Sequence, residues 1–396
     1  MKLLYITCGS GSDPTIGGSF IRTIETARRI ARDNSLYFLT STGGQEALRS
    51  FFTDESIYEI RTPLSGFTHN RMFLFKQLWC YLLIVIRSFS KIKKLPEVDL
   101  VYTDSDGPWD LIPALLYKKR FPRARWAAMN HHKIHFRKDS LISAVFSMVN
   151  IFLQRIGYLL IPRYADAILV LDTKSGYEIK DTLSGKAPEA KFILVKNGAD
   201  IDEIRRVPEQ EKRFDACVFG ALRPSKGLYE IIPVWERVCK TKPDCRLIII
   251  GSLLAGYRAG LEENINTHGL ENNISIAGYL PEKDAAFALM KQSKIFVSLS
   301  NEEGWGIAIM ESLAAGLPGV VWDLPAYKNI IQKGVIKVSR TNIDGFAGEV
   351  IRLLDDDLLY RRLKDEALPA VAQYDWNYVA REEEDNFKKI VGTSRL

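Results

Sequence analysis

The 396-residue sequence predicts an α/β protein made of two doubly wound, parallel-sheet domains, on three observations. A chain of this length exceeds what one hydrophobic core ordinarily serves. Short apolar runs alternate with segments of helical period, which is the pattern of βα units and of parallel sheets covered by helices on both faces. The alternation breaks once, near residue 200, and then restarts.

In the first half, strands are expected over residues 2–7, 36–40, 100–103, 126–129, 167–171 and 192–195. After the first of these, Gly17, Gly18 and Ser19 precede a helix whose Ile21, Ile24, Ala27 and Ala31 recur at three- and four-residue spacing. The polar, proline-containing stretch 197–213 reads as the linker. Strands resume over 214–219, 247–250, 274–277, 295–298 and 319–321. Pro233 falls inside the helix expected after Lys226 and Gly227, so that helix is expected to bend there. The domains are accordingly expected at 1–197 and 198–374. A last helix, from Trp376 to about Val391 within 375–396, is expected to pack back on the first domain.

Apolar content of 46% with 26% charged residues fits a folded globular enzyme and excludes collagen-like, disordered and disulfide-scaffold classes. Five cysteines without a C-x-x-C pair signal neither zinc nor a disulfide framework, so a reducing, cytoplasmic compartment is expected. The N-terminus enters a strand directly, unlike a secretory signal. Residues 1–196 carry 28 Lys and Arg against 18 Asp and Glu (+10), and 197–396 carry 26 against 30 (−4). A basic half points to an anionic partner. With no nucleic-acid fingerprint present, the expected surface is the inner face of a membrane, met peripherally. Residues 72–86 and 141–161 are apolar. The first is shorter than the roughly 20 residues a span needs and has basic flanks, which suits a helix lying in an anionic interface or a core helix.

Two segments carry the clearest chemistry. Glu303, Gly304, Trp305 and Gly306 follow a strand and open a helix that bears Glu311. A Gly-x-Gly turn at a helix N-terminus aims N–H groups at an anion. Two carboxylates eight residues apart can accept hydroxyl protons at two points of an extended ligand; the structural alternative is an ordinary amphipathic helix. In the second segment, Gly220, Arg223, Lys226 and Gly227 again lie between strand and helix. A guanidinium fork with an ammonium matches a diphosphate, the alternative being a solvated basic loop.

Together these segments resemble the family 4 glycosyltransferases, retaining enzymes of the GT-B fold, in which two Rossmann-like domains face each other across a cleft. The resemblance covers nearly the whole chain. It rests on Gly17 and Gly18, on Asn197, Gly198, Ala199 and Asp200, on Arg223 with Lys226, on the Glu303/Glu311 pair, and on Tyr374 to Trp376. It implies that Arg223 and Lys226 bind the donor diphosphate, Glu311 the ribose, and Glu303 with the backbone of Gly304, Trp305 and Gly306 the transferred sugar. It also implies that Gly17 and Gly18 approach the diphosphate and that the base packs near Tyr279 and Leu280. A histidine near the sugar is expected too, His131 ahead of His132. For His131, His132 and His135 a metal site and a purely structural role stand as alternatives.

Asp104 and Asp106 form a D-x-D after a strand, to be read as metal site, acceptor contact or loop cap. Residues 322–327 are less polar than the family pattern. The expected activity is transfer of a hexose from a nucleoside-diphosphate sugar to a hydroxyl of a glycan or lipid-linked acceptor. The resemblance implies that configuration is retained and that no metal or other cofactor is required, since fixed cations would stabilise the leaving phosphate. A GT-B nucleotide-sugar epimerase and a non-catalytic nucleotide-sugar-binding subunit are the rivals.

Overall fold

The computed structural model describes residues 1–9, 18–62, 73–134, 136, 141–253 and 255–392. The chain divides into two compact units, Met1–Lys196 with Asn377–Leu396, and Asn197–Trp376.

The first unit runs β1 (Lys2–Thr7), α1 (Gly18–Ile30), β2 (Ser35–Ser41), α2 (Thr42–Arg49), β3 (Ile57–Ile60), α3 (Phe73–Lys91), β4 (Leu100–Thr103), α4 (Pro108–Arg120), β5 (Arg125–Asn130), α5 (Leu141–Tyr164), β6 (Ala167–Leu171), α6 (Lys174–Ser184) and β7 (Phe192–Val195). Its sheet is parallel throughout, in the order β3-β2-β1-β4-β5-β6-β7. The central strands are apolar on both faces because helices cover both, so Leu4, Ile6, Val101, Trp126 and Ile168 are buried. One strand, β3, lies outside the expected set. It is a four-residue edge strand whose Tyr58 and Glu59 stay partly exposed, so no continuous apolar run marks it.

The second unit runs α7 (Ile201–Arg206), β8 (Phe214–Phe219), α8 (Ile231–Thr241), β9 (Leu247–Ile250), α9 (Ala255–Thr267), β10 (Ile274–Gly278), α10 (Lys283–Lys291), β11 (Ser293–Ser298), α11 (Ile307–Ala314), β12 (Gly319–Trp322), β13 (Val335–Val338), α12 (Ile343–Asp355) and α13 (Asp357–Val371), and α14 (Trp376–Gly392) begins at its end. The six strands are parallel in the order β10-β9-β8-β11-β12-β13. Here too the unexpected strand, β13, is a short edge strand carrying a charge, Lys337.

The expected bend at Pro233 does not occur. A 3₁₀ turn at Pro224–Lys226 and a further turn precede α8, which starts at Ile231. Pro233 therefore sits in the first helical turn, where a missing N–H leaves no bond unmade. Two signature segments also prove to be one structure. Ala199 donates its N–H to the Tyr374 carbonyl (2.9 Å) and its own carbonyl accepts from Trp376 (3.3 Å). Gly198 lies so close to Trp376 that a Cβ would stand 2.6 Å from the indole.

From Asn377 onward α14 belongs to the first unit, held by a buried ion pair between Arg22 of α1 and Glu383. Both side chains are essentially inaccessible, and Arg22 also donates to the Lys196 carbonyl (3.2 Å) and the Tyr102 hydroxyl (3.3 Å). Burial works against the guanidinium charge, but Glu383 more than offsets it and the pKa rises. Removing one partner strands the other in a dry site. Glu383→Ala is expected to lower unfolding free energy by about 3–5 kcal/mol in urea denaturation; a loss below about 1 kcal/mol would show that the pair does not hold α14.

Candidate functional site

In doubly wound sheets the ligand crevice lies outside the carboxyl ends of the strands, where strand order reverses. In the second unit that point is between β8 and β11. The chain leaves β8 through Gly220 (φ 108°) and passes so near the end of β9 that a Cβ on Gly251 (φ 138°) would stand 1.9 Å from the Gly220 carbonyl oxygen. Only glycine permits that approach. Gly227 (φ 85°) then presses on Leu299, a Cβ there standing 2.4 Å from the Leu299 Cβ. Asn301 ties the loops further, donating its backbone N–H to the Ser225 carbonyl (3.0 Å) and its amide to Glu230 (2.7 Å).

This packing brings together two residues predicted for the site from separate segments. The Lys226 ammonium lies 2.5 Å from Glu303 Oε1, and the Ser300 hydroxyl donates to the same oxygen (3.0 Å). Arg223 stands exposed at the loop's start, its Nε donating to the Ser225 hydroxyl (3.2 Å). A paired cation and carboxylate thus stand where the loops after β8 and β11 meet, with a second cation three residues earlier on the first loop.

Gly306 adopts φ 97° and N-caps α11, its carbonyl accepting from Ile309 (3.0 Å) and Met310 (3.1 Å). Trp305 is buried edge-on against Tyr374 at 5.6 Å, which pins the turn. Glu311 lies in the second turn of α11, partly exposed. Beneath Gly306 sits Tyr327, 1% exposed, with its ring 3.2 Å from where a Gly306 Cβ would be. Burial first, and then the Glu303 carboxylate, push the Tyr327 phenol well above its ordinary pKa, so it is neutral. Within the stretch 322–327 it is Tyr327 that forms the floor of the turn. Tyr279 is 68% exposed beyond β10, with Leu280 half-buried beside it.

The switch point of the first unit, between β1 and β4, is acidic. Asp110 at the start of α4 accepts from the backbone N–H of Cys8 (2.7 Å) and Gly9 (3.2 Å) and from the Ser105 hydroxyl (2.5 Å). The two carboxylates of the D-x-D diverge: Asp104 accepts from the Thr23 hydroxyl, and Asp106 from the Gln154 amide (2.8 Å). Among the described residues no group of three or more His, Cys, Asp or Glu is placed to hold a metal ion. His131 is largely buried, with Nε2 3.4 Å from Asp104 Oδ1, whereas His132 is exposed and its carbonyl accepts from Gln154 (3.0 Å). Gly18 opens α1 and is exposed; Gly17 and His135 lie outside the described residues.

Sequence reasoning missed Ser300, Tyr327, Asp110 and Gln154. Ser300 stands next to the recognised segment and was legible as a hydroxyl three residues before Glu303. Gln154 had a signal as well, being polar within an apolar helix.

Residues 200–368 match the model of the family described as glycosyl transferases group 1. Over 213 residues, 52% of this chain and 55% of the relative, the sequence is 30% identical to a GDP-mannose:cellobiosyl-diphosphopolyprenol alpha-mannosyltransferase of Xanthomonas oryzae. It is 26% identical over 197 residues, 48% of this chain and 51% of the relative, to a phosphatidyl-myo-inositol mannosyltransferase of Mycobacterium leprae. The chain thus spans about half the length of the curated relatives it matches. The Anabaena protein HepE, solved with UDP and glucose, superposes with a TM-score of 0.71 over 98% of this chain and 100% of its own at 16% identity. The protein therefore has the GT-B fold, and residues 200–368 of its second unit are similar to the group 1 glycosyltransferases.

Burial pushes the Asp106 carboxyl up to about 6, against opposition from the Gln154 hydrogen bond and from His131. A carboxyl whose folded pKa exceeds its unfolded value binds more protons when folded, so stability falls as pH rises from about 4 to above 6. Asp106→Asn is expected to flatten that decline by about 2 kcal/mol, measured as urea midpoints from pH 4 to 8. Parallel wild-type and variant curves would show that Asp106 is not the responsible group.

Proposed function

We propose that this chain is a retaining glycosyltransferase that moves a hexose from a nucleoside-diphosphate sugar to a hydroxyl of a glycan or lipid-linked acceptor, without a metal. One observation carries the reading most. Lys226, three residues beyond Arg223 on the loop after β8, meets Glu303, on the loop after β11, at the switch point of a domain that matches the group 1 glycosyltransferases.

Lys226 and Arg223 would take the donor diphosphate, since an ammonium and a guanidinium fork offer charge-assisted bonds to its oxygens. Negative charge grows on the leaving phosphate as its bond to the sugar breaks, and cations already fixed in place stabilise that charge more than the ground state. Glu303, held by Ser300, would accept from hydroxyls of the transferred sugar, with the Gly304 to Gly306 backbone beside it. Glu311, one turn further along α11, would take the ribose, and Tyr279 with Leu280 the base. His131, set by Asp104, is the histidine favoured for a sugar hydroxyl over the exposed His132. The relatives' names make GDP-mannose the first donor to try, with UDP-glucose beside it, and a polyprenyl-diphosphate glycan the first acceptor.

Calorimetry with GDP and UDP in excess EDTA is expected to show binding of at least one. Arg223→Ala and Lys226→Ala are each expected to lower transfer or donor hydrolysis by about 100-fold. An Arg223→Ala enzyme as fast as wild type, or nucleotide binding seen only after magnesium or manganese is added, would overturn the site. Product released with inverted configuration, read by proton NMR, would overturn retention, and a donor converted to its epimer without transfer would favour an epimerase.

A further inference from the structure

We propose that the outer face of helices α3, α4 and α5 of the first unit is a docking surface for an anionic lipid bilayer. α3 turns Cys80 and Ile84 into the domain and leaves Trp79, Ile86 and Phe89 between 55% and 56% exposed. α5 buries Tyr158 and Ile161 and leaves Met148, Phe152 and Leu159 between 52% and 64% exposed. Spacings of three, four and seven put each set on one helical face.

α4 packs against both helices, so the two stripes share one side of the sheet. Tyr81 of α3 stacks on Trp109 of α4 at 3.8 Å, and Gly157 of α5 lies so near α4 that a Cβ would stand 3.2 Å from Leu111. Between the stripes α4 offers half-buried Ile112, Leu115 and Leu116. Single exposed apolar residues are ordinary, but two adjoining stripes of this size mark a surface that meets something.

Charge identifies the occupant. Neither α3, over 19 residues, nor α5, over 24, contains an Asp or Glu. Arg87, Lys93 and Lys94 stand exposed along and just beyond α3, and Arg155 and Arg163 along α5. A second copy docking by the same face would set these cations against each other with no carboxylate from either helix to meet them. Anionic headgroups over an acyl boundary satisfy both the cations and the aromatic and aliphatic side chains.

Over Ala144–Tyr164 α5 has the length and hydropathy of a span. Its Tyr158 and Ile161 face belongs to the domain core, however, so the helix lies along the interface. Membrane docking does not depend on the transferase reading. It adds to that reading that a lipid-borne acceptor would be met at the carboxyl ends of the strands, where His131 follows β5 in the stretch of chain that leads to α5.

Flotation of the whole chain with phosphatidylglycerol or phosphatidylcholine vesicles, at low and high salt, uses neither donor nor acceptor, so it tests docking separately from transfer. The wild type is expected to float with phosphatidylglycerol at low salt and to remain below with phosphatidylcholine. Ile86→Glu with Phe152→Glu is expected to weaken binding by about tenfold or more, and Lys93→Glu with Lys94→Glu by about tenfold, each with an unchanged melting curve. A wild-type chain that does not float with phosphatidylglycerol overturns the proposal. So does a dimer in sedimentation velocity that the Ile86/Phe152 variant abolishes while flotation persists, since the face would then serve a second copy. Should the apolar variant melt early, the Lys93/Lys94 variant decides, and undiminished flotation of it overturns the proposal.

Discussion

The contact between Gly227 and Leu299 sets the geometry on which the second unit's chemistry depends. Any side chain at 227 would collide with the loop after β11, and the backbone there is left-handed, which an L residue adopts only under strain. With glycine the two loops of the switch point close on each other, and Lys226 then lies within reach of Glu303. The pairing satisfies each charge without ligand. On the proposed reading it also places the ammonium where a diphosphate and the carboxylate where a sugar would both be within one contact of the same ion pair. The Ser300 hydroxyl adds a bond to the same carboxylate oxygen, and Tyr327 is buried beneath Gly306.

The first unit uses the same topology with opposite electrostatics. Asp110 reaches back from α4 to hold the N–H groups of Cys8 and Gly9, so the end of β1 is fixed by a carboxylate. The desolvated setting pushes Asp110 well above its ordinary pKa, burial leading the causes and the Ser105, Gly9 and Cys8 hydrogen bonds opposing it. Asp104, with Thr23 and His131, and Asp106, with Gln154, each take separate partners. A D-x-D motif thus becomes two hydrogen-bonding anchors, because the chain leaves β4 at Thr103 and bends before α4, so the two carboxylates do not keep the shared face that i and i+2 residues have within a strand.

The sequence was most legible where one physical requirement dominates. Parallel strands buried on both faces must be apolar runs, and every such central strand was readable. Positions that must adopt φ > 0 or approach backbone closely must be glycine, so Gly220, Gly227 and Gly306 announced the site loops. The edge strands β3 and β13 carry Glu59 and Lys337 and obey no such requirement, since one side of an edge strand is open to water. Pro233 was misread for a related reason: its effect depends on where the helix starts, and a 3₁₀ turn supplied by tertiary packing moved that start to Ile231. The partners of site residues were hardest to see. Gln154 and Asp106 are 48 positions apart, and only the folded path of α5 brings them to 2.8 Å.

The charge asymmetry of the chain takes on meaning once both switch points are in view. The first half carries a net +10, yet its own switch point is lined by Asp104, Asp106 and Asp110. Several of its cations stand instead along α3 and α5, where no carboxylate interrupts them. The second half, with a net −4, holds Lys226, paired with Glu303 at the switch point, and Arg223 on the same loop. Attraction of a nucleotide by overall charge would require the reverse distribution. On the proposed reading local geometry must then do the work at the second unit's site, where Lys226 and Arg223 in contact with a diphosphate would outweigh a diffuse negative field screened within about 8 Å by physiological salt. The diffuse positive field of the first unit is of the kind that suits an extended anionic surface, over which many weak attractions add.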